Sequence, residues 1–452
     1  MILTHKEEFK KIGLGLVLAL LAFALAWLIF NMQQSLLISS IVFLVTLWTN
    51  EALPLGVVSI LPIILFPAFG ILTTKATTVN YAHPIIFLFL GGFLLAIAVE
   101  KTSLHKYIAA KILSFFPNTP TGIISSLTIT SAILSSLLSN TTTAVLLMSI
   151  ALFISEDIKL KMRFALSVAY GASIGGILTP VGTPPNLILF GIMNDKGMEA
   201  IAFFKWMMMV FPLVFVMLIV VSFLLSIGVK DIPIKRDKKL YTLDKEQKKV
   251  LYILGGLLLL LLVNSPLQPY WSGLGLSEPI ILLSVGVLLF IAPVSVLQWE
   301  KDSVKIPYKI MFLFGAGFSI AKAFGATGLA DEIASYLLSI THLSPIILLL
   351  AVASLITFTT EITSNTALIS IMLPVIYAIS EQAGINTTLF MMVATVCASY
   401  AFMLPIATPP NAIAMSSGAV RVQDMIRYGF ILNLVGIALI VLIAEHFWKA
   451  VL

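Results

Sequence analysis

The sequence predicts an all-α polytopic membrane protein with about eleven transmembrane helices and two re-entrant helical hairpins, arranged as two inverted-topology repeats. Of its 452 residues, 59% are hydrophobic and 11% are charged, and a soluble domain of this size does not need so much apolar surface. The motif Ser139-Asn140-Thr141 returns 225 residues later as Ser364-Asn365-Thr366. A motif repeated at long range indicates a duplicated structural unit.

The same offset aligns further motifs without a gap. It places Gly91-Gly92-Phe93 on Ala316-Gly317-Phe318, Pro180 on Pro405, and Thr183-Pro184-Pro185-Asn186 on Thr408-Pro409-Pro410-Asn411. A three-residue match alone carries little weight, but one constant offset over about a hundred residues indicates two copies of one unit.

Apolar runs bounded by polar or Pro/Gly breaks predict the spans. The first, 12–30, lies in an N-terminal segment, 1–33, and no small-residue cleavage site follows it, so a retained helix is expected rather than a signal peptide. The eleven predicted spans are 12–30, 34–50, 53–72, 83–100, 162–193, 205–228, 248–263, 277–296, 308–324, 388–417 and 427–448.

Two segments, 121–156 and 344–381, differ from these spans. Each contains two apolar stretches that are expected to be too short to cross a membrane alone, and the stretches meet at a Ser-Asn-Thr tip. We interpret both as hairpins that enter and leave on the same side, since non-helical backbone at membrane depth must be buried in protein or face a water-filled cavity. The shorter amphipathic segments 102–116 and 327–340 precede them and are predicted to lie along the interface.

Basic residues predict the orientation. They concentrate in the loops that a cytoplasmic N-terminus places inside, most densely in the linker 229–249 with its run Lys235-Arg236-Asp237-Lys238-Lys239. This pattern favours a multi-pass protein of the inner (plasma) membrane, surrounded by lipid, and does not favour a nucleic-acid partner. Five predicted crossings separate the starts of the repeats, 34–228 and 250–452. Because five is odd, the second repeat is predicted to be inverted, with hairpin 121–156 opening inward and hairpin 344–381 outward.

The spans 162–193 and 388–417 are interrupted by the Thr-Pro-Pro-Asn motifs. Prolines lack N–H donors and free backbone carbonyls around them, and the hairpin tips supply hydroxyl and amide oxygens. Such oxygens suit Na⁺, whereas half-helix N-termini and Thr hydroxyls suit an anion. Each repeat thus predicts one cation site and half of an anion site, although Ser, Asn and Thr are also ordinary helix caps and Pro-Pro an ordinary kink.

Other candidate sites are less well supported. Gly171-Ala172-Ser173-Ile174-Gly175 matches the G-x-S-x-G nucleophile pattern, but no histidine is placed to act as its base, so helix packing is the better interpretation. Glu361 is the one acid inside a hairpin, and a proton site and a structural role are equally open for it. Glu51 is expected near a span end.

The paired Ser-Asn-Thr tips, the run Thr360-Glu361-Ile362-Thr363-Ser364-Asn365-Thr366 and the paired Thr-Pro-Pro-Asn breaks resemble the divalent anion/sodium symporter family. The resemblance covers nearly the whole chain. It implies an eleven-helix fold with two hairpins, a homodimer, no enzymatic activity, and an elevator mechanism in which hairpins and broken helices move against a scaffold.

Residue by residue, the resemblance implies at least two Na⁺ sites and a substrate site. One Na⁺ is expected at Ser135, Ser139, Asn140 and Gly182, and a second at Thr360, Ser364, Asn365 and Ala407. Substrate carboxylates are expected at Asn140, Thr141 and Thr183 and at Asn365, Thr366 and Thr408. The first tip departs from the second in continuing with Thr142-Thr143 where the second has Ala367-Leu368, so unequal contacts to the two ends of the substrate are expected.

These residues favour Na⁺-coupled uptake of C4-dicarboxylates such as succinate, malate or fumarate. A Na⁺-independent dicarboxylate exchanger, or a carrier of sulfate or another divalent anion, would use the same fold. An intramembrane hydrolase that uses Ser173 is a third hypothesis, and the missing base argues against it.

Overall fold

The computed structural model describes residues 5–229, 242–266, 270–337 and 343–452, and the regular elements in these ranges are helices. The basic run 235–239 of the predicted linker lies outside the described residues.

The first half of the chain, over the described residues 5–229, contains twelve α-helices. They are α1 (His5–Ala26), α2 (Met32–Asn50), α3 (Leu55–Val58), α4 (Pro62–Ala68), α5 (Thr74–Thr78), α6 (Pro84–Lys101), α7 (Leu104–Phe115), α8 (Pro120–Ser135), α9 (Asn140–Phe153), α10 (Ile158–Gly176), α11 (Pro184–Asp195) and α12 (Phe203–Ser226).

The described part of the second half contains eleven more. They are α13 (Lys245–Asn264), α14 (Glu278–Leu288), α15 (Trp299–Asp302), α16 (Tyr308–Thr327), α17 (Leu329–Leu337), α18 (Pro345–Thr360), α19 (Asn365–Ala383), α20 (Thr387–Ala398), α21 (Pro409–Ser416), α22 (Val422–Ile443) and α23 (Lys449–Val451).

The 225-residue offset seen in the sequence also relates helix boundaries. The starts of α8, α9 and α11 correspond to the starts of α18, α19 and α21 at that spacing, because the same proline or asparagine begins each pair. The residue before α7, Ser103, has a left-handed φ of 56°, and its equivalent before α17, Gly328, has a φ of 69°. The two halves therefore share these helix starts as well as motifs.

Seven helices in the described ranges are long and apolar enough to cross a membrane: 6–26, 32–50, 74–101, 203–226, 308–327, 365–383 and 422–451. The chain is thus a multi-pass membrane protein. One of the seven is α19, so the expectation that both halves of the second hairpin are too short to cross is wrong. The helix continues beyond the predicted boundary to a left-handed C-cap at Gly384.

Two predicted spans are not single long helices. The span 53–72 consists of α3 and α4, which Pro62 separates because its ring nitrogen has no hydrogen to donate. In the span 277–296 the α-helix α14 ends at Leu288, and only turns follow it. Hydropathy identified both apolar runs, but it does not detect such interruptions.

Glycines allow the closest helix contacts around the site. A Cβ atom at Gly175 of α10 would collide with Ala132 of α8, and one at Gly91 of α6 would collide with the backbone of Leu282 in α14. Close approach at small residues is how helices pack in membranes, where lipid offers no hydrophobic drive to associate. The contact at Gly175 brings α8 of the first hairpin against α10, and the contact at Gly91 brings α6 against α14.

Candidate functional site

One cavity of about 340 Å³ lies where the two tips and the two breaks meet. Each of its four polar walls is the start of a half-helix: α9, α11, α19 and α21. The lining residues from these walls are Leu137–Thr141, Val181–Pro185, Ile362–Thr366 and Ile406–Pro409. Each half of the chain thus contributes one tip and one break to the site.

The first tip forms because a serine caps α9. The Ser139 hydroxyl accepts a hydrogen bond from the Thr142 N–H (3.1 Å) and donates one to Thr142 Oγ1 (2.8 Å). Behind the tip, Ser135 Oγ donates to Asn140 Oδ1 at 2.6 Å. Two predicted ligand oxygens of the first cation site are therefore in direct contact.

The first break places backbone atoms next to the first tip. Pro180 has no N–H for the carbonyl of Gly176, four residues earlier, so α10 ends there with a free carbonyl. A Cβ atom at Gly176 would lie 2.5 Å from Asn140 Oδ1, and one at Gly182 would collide with the Gly176 carbonyl oxygen. Asn140, Gly176 and Gly182 are thus packed together, and only glycine fits at both backbone positions.

The second tip repeats this arrangement with different residues. Thr360 Oγ1 lies 2.6 Å from Asn365 Oδ1 and 2.9 Å from the Ala398 carbonyl oxygen, and it can donate to either. Ser364 begins α19 without the side-chain cap that Ser139 makes. The positions equivalent to Gly176 and Gly182 are Ala401 and Ala407, so this half accommodates a Cβ atom where the first cannot.

Glu361 stabilises the second break. Its carboxylate, 3% exposed, accepts hydrogen bonds from the N–H groups of Phe402 (2.8 Å), Met403 (2.9 Å) and Leu404 (3.0 Å). The amide of Asn433 on α22 donates a fourth, at 2.7 Å. No lysine, arginine or histidine in the described ranges pairs with it. This geometry favours the structural alternative, since the acid supplies acceptors to a backbone segment that has left the helix.

The corresponding position in the first break is Ser136. Its carbonyl accepts a hydrogen bond from Thr179 Oγ1 at 2.6 Å, so a neutral contact ties tip to break there. The contact between tip and break is therefore made by an acid in the second half and by a neutral backbone carbonyl in the first.

Ten of the twelve predicted site residues line the cavity. They are Ser139, Asn140, Thr141, Gly182, Thr183, Ser364, Asn365, Thr366, Ala407 and Thr408. The other two, Ser135 and Thr360, lie behind the tips and contact the cavity-lining asparagines. Thr142 and Thr143 do not line the cavity.

The remaining walls were not identified from the sequence as site residues. They consist of Trp48, Thr49, Glu51 and Leu55 from the end of α2 and the start of α3, Phe89, Gly92 and Phe93 from α6, and Ile310 and Leu313 from α16. The repeated Gly-Gly-Phe motif was a signal for α6. Glu51, with a left-handed φ of 51°, was expected near a span end, and its position at the cavity had no local signature.

Ser173 has no neighbour suited to hydrolysis. Its hydroxyl is buried and has no hydrogen-bond partner in the described part of the chain. A serine nucleophile needs a base within hydrogen-bond reach. The glycines on either side, Gly171 and Gly175, pack directly on α8, which agrees with the helix-packing interpretation.

The chain is similar in sequence to known transporters. Residues 41–384 match the family model described as citrate transporter. The chain is 32% identical to the sodium-dependent dicarboxylate transporter SdcS of Staphylococcus saprophyticus, over 98% of this chain and 93% of that protein. It is also 32% identical to SdcS of Staphylococcus aureus, over 97% and 92%.

Two solved structures share the fold at low sequence identity. The YdaH transporter of Alcanivorax borkumensis matches with a TM-score of 0.55 and 15% identity, over 81% of this chain and 86% of that one. The antimetabolite efflux pump MtrF of Neisseria gonorrhoeae matches with a TM-score of 0.57 and 14% identity, over 91% and 95%.

Proposed function

Because the chain belongs to the family of citrate transporters and divalent anion/sodium symporters, whose members are transporters and not enzymes, we propose that it couples Na⁺ entry to the uptake of a C4-dicarboxylate. Succinate, malate and fumarate are the proposed substrates. The names of the Staphylococcus relatives support both the dependence on sodium and the dicarboxylate.

The observation that carries the proposal is the single cavity between two Ser-Asn-Thr tips. Its volume of about 340 Å³ suits a small molecule. A dicarboxylate has two equivalent anionic ends, and the cavity has two similar polar ends. We propose that one carboxylate contacts Asn140, Thr141 and Thr183, and the other Asn365, Thr366 and Thr408.

Charge balance supports the coupling to Na⁺. Among the described residues that line the cavity there is no lysine, arginine or histidine, and the one ionisable side chain is the acid Glu51. The N-termini of the four half-helices supply partial positive charge, but a dianion needs more. Bound cations would supply it, and substrate binding would then depend on them.

The oxygen-rich surroundings of the tips suit Na⁺. The first proposed site comprises Ser135, Ser139, Asn140 and Gly182, and the second comprises Thr360, Ser364, Asn365 and Ala407. Hydroxyl, amide and carbonyl oxygens are hard ligands, and the contact of Ser135 with Asn140 has its equivalent in that of Thr360 with Asn365. Two such sites give the proposed minimum of two Na⁺.

The larger assembly follows the family. We propose two inverted repeats, hairpins that re-enter the membrane, an N-terminus in the cytoplasm of an inner membrane, and a homodimer. Movement of the hairpins and broken helices, α8–α11 and α18–α21, against the other helices would give an elevator mechanism. Placement of both sites on hairpins and broken helices supports a joint movement of ions and substrate.

The test is counterflow of labelled succinate in proteoliposomes, with Na⁺ replaced by K⁺ or choline. Succinate exchange in Na⁺ that stops in choline is expected. Equal exchange in both media would favour a sodium-independent exchanger. If labelled sulfate is exchanged and succinate is not, a carrier of another divalent anion would be favoured.

A further inference from the structure

The last residue of each Thr-Pro-Pro-Asn motif lies outside the cavity. Asn186 and Asn411 are the third residues of α11 and α21, and both side chains are 0% exposed. Neither lines the cavity, so neither contacts the proposed substrate. A buried amide of this kind is expected to be hydrogen-bonded.

Both amides donate backwards across the break that precedes their helix. Asn186 Nδ2 donates to the carbonyl oxygens of Thr179 (2.9 Å) and Ile177 (3.4 Å). Asn411 Nδ2 donates to those of Ala401 (2.9 Å) and Leu404 (3.0 Å). The Oδ1 atom of each has no partner in the described ranges, so these side chains act as donors.

The breaks need donors because prolines remove them. Pro180, Pro184 and Pro185 have no N–H groups, so carbonyls between residues 176 and 181 lose their helical partners. A buried carbonyl without a partner is destabilising. Each asparagine adds a donor to two carbonyls of its break. Three of these four carbonyls also accept from another group: Ile177 from Trp206 Nε1, Thr179 from the Gly182 N–H and Leu404 from the Ala407 N–H.

The choice of carbonyls differs between the halves. Asn186 does not donate to the Gly176 carbonyl. This carbonyl packs beside Gly182 and next to Asn140 at the first proposed cation site. The carbonyl equivalent to that of Gly176 is that of Ala401, and Asn411 occupies it. The two sites therefore differ in whether this backbone oxygen also accepts a hydrogen bond from the motif asparagine.

We propose that Asn186 and Asn411 are positioning residues that orient the break carbonyls beside each cation site. The inference rests on the proposed function and deepens it, since it makes the two Na⁺ sites chemically different. Carbonyl number and position determine selectivity among alkali cations. Loss of either asparagine amide should therefore change the preference of the protein for Na⁺ over the smaller Li⁺, and not only the stability of the fold.

The test measures cation binding without transport. Purified full-length protein in detergent is titrated with NaCl or LiCl at constant ionic strength, and the thermal unfolding temperature is recorded. In Asn186→Leu, a side chain of similar size without donors, the Na⁺ concentration for half-maximal stabilisation should rise about tenfold. The ratio of this Na⁺ concentration to the Li⁺ concentration for half-maximal stabilisation should change as well.

Two further variants complete the design. Asn194→Leu alters an exposed residue of the same helix and should leave both titrations unchanged. Asn186→Ser retains one donor and should give an intermediate shift, and it serves as the test if Asn186→Leu does not fold.

The outcomes separate the two proposals. If Na⁺ stabilises the wild type and the Asn186 variants give the same Na⁺ titration and the same ratio of Na⁺ to Li⁺ concentrations, the positioning role alone would be overturned. Absence of any Na⁺-specific stabilisation in the wild type would overturn the proposed function and this inference with it.

Discussion

Gly176→Ala tests whether the first tip and the first break form a cation site. The added Cβ atom would lie 2.5 Å from Asn140 Oδ1 and 3.1 Å from its Nδ2, and real Cβ contacts under 3.0 Å are essentially never seen. Asn140 would have to move by about half an ångström, away from a position fixed by its 2.6 Å contact with Ser135. Overpacking of this kind costs about 1–3 kcal/mol. If the cost falls on ion binding, the Na⁺ concentration for half-maximal uptake should rise by about tenfold to a hundredfold.

The assay is uptake of labelled succinate into proteoliposomes over a range of Na⁺ concentrations. Gly92→Ala is the matched control, because it also lines the cavity but its Cβ atom would meet Val181 at an ordinary 3.6 Å. Ala401→Gly makes the reverse change at the equivalent position of the second half and should have a smaller effect. A folded Gly176→Ala protein with the Na⁺ dependence of the wild type would refute the reasoning.

Three further predictions concern the break, the surface and the substrate. Glu361→Gln replaces one acceptor oxygen by an NH₂ group and so leaves at least one N–H group of the second break without an acceptor. It should destabilise the purified protein by about 2 kcal/mol and lower its thermal unfolding temperature, and an unchanged temperature would contradict the role of Glu361. Burial alone would raise the pKa of Asp302, but hydrogen bonds from Lys101 and the Gln298 N–H, together with the Lys101 charge, hold it below its usual value. This stabilisation is present above the unfolded pKa of about 3.9 and is lost as pH falls through the folded pKa, so Asp302→Asn should destabilise the protein at pH 7 and the difference should shrink below about pH 4. A difference that persists at lower pH would point to a cause other than the charge. Butyrate, with one carboxylate, should not compete with succinate, and uptake corrected for pH effects on the protein should fall as pH drops through the second carboxyl pKa near ~5; strong inhibition by butyrate would contradict the two-ended site.

The sequence contains enough information to predict the polar half of the site. Prolines and small polar residues act on the backbone next to them, so the breaks and tips could be placed from Pro184, Asn140 and their equivalents. The 225-residue offset then paired them across the chain without any tertiary information. For the same reason the starts of α9 and α19 agree with the motif positions.

The rest of the site depends on contacts between distant residues. Glu361 lies 72 residues from Asn433, and the position of Glu51 at the cavity depends on how α2 packs beside the tips. No periodicity or local motif encodes such pairs. The division of 53–72 at Pro62 and the extra length of α19 were missed because hydropathy measures apolar content rather than helix continuity.

The most direct measurement of the central proposal is the reciprocal flux. If one cavity binds Na⁺ and a dicarboxylate together, each gradient must be able to drive the other. Proteoliposomes with equal Na⁺ on both sides and an inward succinate gradient are predicted to accumulate radioactive sodium, and an Asn140→Ala/Asn365→Ala protein is predicted not to. Succinate entry without any movement of sodium would contradict the account.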